Sequence, residues 1–237
     1  ITSVEEYHQC LGFGPAPRFD ITPGAGSAFD AAFQAGGKDY RLTQPEGQTG
    51  GRYLLYHSIL HFYQNGGGPC YVVSVGGYKD DVAPDRLMAG IEPLIKEQEP
   101  TMYICPEATL LPVADNSTLM EAMLLQSSSM GTSVSIFDII GGNDPDPVGY
   151  MNDISTFRNN TGTTGLNYGA AYYPFIGTTI MQGSDIDYTN LFGGDINQLA
   201  AVVNPASNPN PAITTIFANM ANPASGLTIA QNNNALI

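Results

Sequence analysis

The sequence predicts an α/β fold, with a mixed and largely parallel sheet flanked by helices. Two observations carry that prediction. From Tyr53 onward helix-like and strand-like segments alternate, and each is set off from the next by Gly, Pro, Asn or Asp. Such alternation favours parallel strands joined by helical crossovers. The flanks read differently, the N-terminal one irregular and β-rich, the C-terminal one rich in loops and short helices.

Taken in order, residues 11–52 are rich in Gly, Pro and Thr, with a hairpin expected over Ala32 to Leu42 that turns at Gly36-Gly37. Tyr53 to Gln64 has apolar residues at helical spacing and stops at Asn65-Gly66-Gly67-Gly68, a strong helix terminator. Tyr71 to Val75 then reads as a buried strand. Asp85 to Gln98 is the next helix, kinked by Pro93, and Thr101 to Cys105 the next strand. Ser117 to Met130 follows as a helix with Ser117 or Asn116 as its cap, and Ser133 to Ile140 as a strand. The loop Gly141 to Pro147 leads into a helix ending near Asn159-Asn160. Tyr168 to Ile176 reads as a fourth strand. Residues 177–237 hold helical candidates at Asp195 to Val203 and Ala212 to Met220. The expected organisation is an N-terminal part over 1–52, an α/β core over 53–176 and a polar Asn/Pro-rich extension over 177–237.

Charge narrows the partners. The chain has 22 acidic residues against 8 basic ones, a net charge of −14, and no Lys or Arg after Arg158. Phosphate backbones and anionic headgroups bind through clustered Lys and Arg, so neither nucleic acid nor a membrane surface is an expected partner. No apolar run approaches the length of a membrane span. Only 13% of residues are charged, about half the usual ~25%, so the acidity reflects missing bases. Cys10, Cys70 and Cys105 are widely spaced and read as buried free thiols. The opening on Ile1 and the close on Asn-Ala-Leu-Ile suggest a segment of a longer polypeptide.

Several residue groups could carry chemistry. The glycines after Asn65 could cradle phosphate, but phosphate loops run from strand to helix, whereas these follow a helix and face the negative end of its dipole. Asp138, Asp144 and Asp146 cluster at what would be the carboxyl edge of the sheet and could hold Mg²⁺ or Ca²⁺. The run Asp144-Pro145-Asp146-Pro147 equally describes a turn and helix start. His57 and His61 are spaced as metal ligands on one helix face, yet no Glu lies between them and His8 is remote. No nucleophile elbow is present, and no cofactor is implied.

One stretch resembles a known family. Tyr53 to Tyr78, YLLYHSILHFYQNGGGPCYVVSVGGY, is similar to the helix, NGGG, strand signature of contractile tail sheath proteins, above all the sheath subunits of extracellular contractile injection systems. Three further pieces fall in the family's order: Ile1 to Tyr7 (ITSVEEY) followed by Phe13-Gly14, Tyr103 to Ala108 (YICPEA), and Tyr168 to Ile176 (YGAAYYPFI). The matching structural positions are Asn65, Gly66, Gly67, Gly68, Cys70, Tyr71, Tyr172, Tyr173 and Pro174.

The resemblance implies a structural subunit with no catalytic residues and no cofactor. Copies would stack as six-fold rings around an inner tube, meet baseplate and terminator proteins, and contract to drive the tube through a target envelope. It also implies assembly in a bacterial cytoplasm, as part of a phage tail or a released phage-tail-like particle. The arms that link neighbouring subunits in that family have no counterpart in these residues, so the chain by itself is expected to be monomeric. Two other readings stay open: an α/β metal- or nucleotide-binding enzyme domain using the acidic loop after Asp138, and a tail-associated host-binding domain.

Overall fold

In the computed structural model, which describes residues 1–24, 32–35, 37–43, 53–78, 80–143 and 146–236, the chain folds as two units. The first comprises Ile1–Pro15 and Tyr53–Ile180, the second Ala16–Arg52 and Met181–Ile237. This grouping differs from the three consecutive segments expected from sequence. The opening residues join the α/β core, and the two flanks share a core with each other.

The first unit is built on a parallel sheet of order β4-β5-β6, formed by β4 (Met102–Ile104), β5 (Val134–Asp138) and β6 (Gly169–Tyr172). Helix α4 (Val113–Met130) packs across one face. Its buried residues Leu119, Met120, Met123 and Leu124 recur at helical spacing, and they meet Tyr103, Leu111 and Phe137 in one apolar cluster. Two serines let helix and strand approach closely. Ser127 on α4 and Ser135 on β5 are fully buried, share a 2.8 Å hydrogen bond, and Ser135 Oγ also donates to Met123 O. Both hydroxyls are thereby satisfied without water.

α4 starts four residues before the expected Ser117. Pro112 occupies the cap position, and neither expected cap residue caps. Asn116 is buried and donates to Ala108 O at 2.7 Å, while Ser117 Oγ donates to Asn160 O. The expected helix Asp85 to Gln98 is two pieces, α3 (Pro84–Ala89) and a 3₁₀ turn over Glu92–Lys96. Gly90 closes α3 with its N–H on Arg86 and Leu87 carbonyls, and Pro93, which has no N–H to give, is the second residue of the turn.

The largest departure concerns Tyr71 to Val75, expected as a strand. Residues 71–77 pair with no strand, and among the described residues the sheet has three strands where sequence suggested four. At the head of this segment Cys70 exchanges backbone hydrogen bonds with Ile1, N–H to carbonyl in both directions at 2.9 Å. Apolar content alone does not distinguish a paired strand from a run held by such contacts. α1 (Val4–Leu11), capped by the Ser3 hydroxyl on Glu6 N, α2 (Leu55–Gln64) and α5 (Tyr150–Asn159) complete the unit.

The second unit holds an antiparallel sheet of order β1-β3-β2, from β1 (Asp20–Pro23), β2 (Ala32–Ala35) and β3 (Lys38–Thr43). β2 and β3 form the hairpin read from sequence, with Ala35 opposite Lys38 and Phe33 stacked on Tyr40; Gly36 lies outside the described residues. α6 (Ile196–Val203) and α7 (Pro211–Ala221) lie where helices were expected and are capped by Asp195 and Asn210, and α8 (Ile229–Leu236) follows. Ile21, Tyr40, Leu199 and Phe217 make its buried core. Asn190 Nδ2 donates to Pro17 O at 2.8 Å, and Phe19 bridges Leu191, tying the two flanks together. Among the described residues no helix is long and apolar enough to cross a membrane.

Candidate functional site: the junction around helix α2

Helix α2 is short and owns no capping side chain at its start. The cap comes from elsewhere in the chain. Glu107 Oε1 accepts from Leu54 N at 3.1 Å and from Leu55 N at 2.8 Å, so a carboxylate sits on two otherwise unpaired amides at the positive end of the helix dipole. Glu107 lies within YICPEA, just after β4.

The other end of α2 closes on the glycine run. Gly66 N–H bonds Tyr63 O at 3.1 Å and Gly67 N–H bonds Phe62 O at 2.9 Å, with Gly66 at φ +83°. This is a Schellman closure. Asn65 adds a side-chain donation to His61 O at 2.8 Å. The amides of Gly66 and Gly67 are therefore spent on helix carbonyls and do not point at an anion. Gly67 is also tightly placed, since a Cβ there would lie 2.4 Å from the Phe62 ring and the ring would have to shift.

Beyond the turn, Cys70 holds Ile1 through the paired backbone bonds. The Tyr63 hydroxyl donates to Ile1 O at 3.1 Å and lies 3.5 Å from Cys70 Sγ; burial and this sulfur contact raise its pKa. Tyr71 donates to Glu99 Oε2 at 2.8 Å. α1 then lies on α2 through an aromatic cluster. Tyr7 is buried against Tyr56, with ring centres 5.8 Å apart, and its pKa is raised first by burial and then by a hydrogen bond with Tyr78. His8 Nε2 is 3.0 Å from the Tyr56 hydroxyl, and its ring lies 4.3 Å from that of Phe13. Gly14 backs onto Tyr56 so closely that a Cβ would overlap the ring. Tyr53 donates to Asp80 O at 2.6 Å.

Asn65, Gly66, Gly67, Gly68, Cys70 and Tyr71 thus share one neighbourhood with ITSVEEY, Phe13-Gly14 and YICPEA. Tyr172, Tyr173 and Pro174 do not join it. Tyr172 ends the opposite edge strand, β6, and Tyr173 and Pro174 follow it; there Tyr173 donates to Asp153 Oδ2 at 3.0 Å and Phe175 N–H bonds Gly142 O. Glu107 and Tyr7 were not singled out individually by the sequence, although each lies inside a quoted motif. A carboxylate directly after Pro106 is the signal that could have pointed to Glu107.

The acidic loop is not assembled into a site among the described residues. Asp146 Oδ1 accepts from Val148 N at 2.8 Å and its carbonyl accepts from Tyr150 N, which is the turn and helix start of α5. Asp138 ends β5 opposite Tyr172, and burial by its surroundings raises its pKa. Asp144 lies outside the described residues. Among the described residues no three His, Cys, Asp or Glu side chains come together as a metal set, and His61 is engaged with Asn65. The thiols are less buried than expected: Cys10 is exposed, and Cys70 and Cys105 are half-buried. Burial, with Glu107 as a lesser cause, pushes the Cys105 thiol up to about 12.

No family model and no curated protein sequence matches the chain.

Proposed function

We propose that this chain is a structural subunit of a contractile tail sheath, polymerising around an inner tube and contracting to drive it through a target envelope. One observation supports the reading best. Three sequence pieces that carry the resemblance, separated by tens of residues, converge on α2: the opening helix through Ile1, Tyr7 and Phe13-Gly14, the glycine turn itself, and YICPEA through Glu107. A chance scatter of short motifs has no reason to fold into one junction.

The physical role of that junction is stiffness. α2 is clamped at both ends, by a charge-assisted cap and by the Schellman closure, and α1 is fastened to it by aromatic packing. A sheath subunit has to move as a nearly rigid body between two lattice packings, the work coming from assembly free energy and not from chemistry in the subunit. Copies of the chain, the inner tube protein, and baseplate and terminator proteins are the partners this reading requires, in a phage tail or a released phage-tail-like particle. Negative-stain microscopy of the full-length gene product tests it. Hollow six-fold tubes are expected, and particles that stay dispersed when the inner tube protein is supplied would refute the reading.

A further inference from the structure

Among the described residues of the first unit, α4 covers one face of the parallel sheet. α4 packs on the face that carries Tyr103, Ser135 and Phe137, and strand alternation turns Met102, Ile104, Val134, Ile136 and Tyr172 to the other face. Register sets these side by side: Met102 opposite Val134, Ile104 opposite Ile136, and Asp138 opposite Tyr172. Met102, Ile104 and Tyr172 are 60%, 61% and 61% exposed. Ile136, on the central strand between them, is half-buried. All-parallel sheets are almost always buried on both faces, so this face is one that binding would complete.

Charge selects the occupant. Asp138, the single ionisable carboxylate in this register, makes no hydrogen bond or ion pair among the described residues, and Glu97 and Glu99 precede β4 at the opposite end of the strands. The chain carries −14 overall and has 8 Lys and Arg, so at this face a second copy has few cations to set against Asp138. We infer that the open face of the β4-β5-β6 sheet is a docking surface for an amphipathic helix of another protein, with an apolar stripe that lies on Ile104, Ile136 and Met102 and a Lys or Arg that meets Asp138. A helix is about 10 Å across with its side chains and covers two to three strands spaced ~4.8 Å apart, which suits a sheet of this width. The inference goes beyond the sheath reading and stands without it.

A fluorescent Leu/Lys amphipathic helix peptide, titrated by anisotropy against the whole chain at ~0.15 M salt, is the test. Saturable binding is expected, weakened about tenfold or more by Ile104→Glu and severalfold by Asp138→Asn. A scrambled Leu/Lys peptide without the stripe, and a Leu/Glu helix, are expected not to bind at the same concentrations. Thermal melts confirm that the variants fold, and Tyr172→Ser replaces Ile104→Glu if that variant does not. Unchanged binding by the folded variants, or equal binding of the scrambled peptide, overturns the inference. So does a dimer of the chain in sedimentation that Ile104→Glu abolishes, or flotation with phosphatidylglycerol vesicles that depends on Ile104, since each would name a different occupant.

Discussion

At position 107 a carboxylate stands where α2 has no cap of its own, bonded to the amides of Leu54 and Leu55. Its contribution is local in geometry and long-range in sequence, because it fastens the segment after β4 to the start of a helix more than 50 residues earlier. Replacing Glu107 with Ala leaves two helix-end donors without a protein partner, and urea denaturation is expected to show a loss of about 1–2 kcal/mol. Glu107→Gln keeps an acceptor but not the charge, so its loss should be smaller. Equal stability of Glu107→Ala and the parent chain would mean that α2 is held by packing alone. Nothing in the residue itself announces this role. A glutamate after Pro106 is ordinary as sequence, and only the placement of α2 beside it makes it a cap.

Among the elements, α2 and its glycine turn were the most legible, and the reason is local. Tyr53 to Gln64 has helical periodicity, and a left-handed residue with two returning N–H bonds is what glycine after Asn permits. The three glycines are not equivalent, however. Gly66 sits at φ +83°, so Gly66→Ala should cost about 1–2 kcal/mol. Gly68 has open space around its Cβ position and no left-handed backbone, so Gly68→Ala should stay within about 0.5 kcal/mol of the parent in the same melt. Strand elements were legible where apolar runs found neighbours, in β4, β5 and part of β6. At Tyr71 to Val75 the same kind of run found none, because whether a run pairs depends on what lies beside it.

Across the whole molecule, two separate cores imply two separable unfolding events. Leu124→Ala, which empties the centre of the α4 cluster, should cost the first unit about 2–5 kcal/mol. Phe217→Ala should cost the second about 3–5 kcal/mol. Calorimetry should then show each substitution lowering a different transition; one transition shifted equally by both would show the units to unfold as one. The unit boundaries were hidden from sequence because Ala16–Arg52 and Met181–Ile237 are joined by contacts such as Asn190 to Pro17, which no local pattern encodes. The same division applies to the candidate site. By itself the sequence determined the α/β class, α2 with its stop, α6 and α7, the β2-β3 hairpin and the shortage of bases, since these rest on periodicity, turn chemistry and composition within a few residues. Only tertiary structure decided that Ile1, Glu107 and the glycine turn meet, that Tyr172 to Pro174 lie elsewhere, and that Met102, Ile104 and Tyr172 are left exposed. Those are pairings between distant residues, set by which surfaces the chain can bury together.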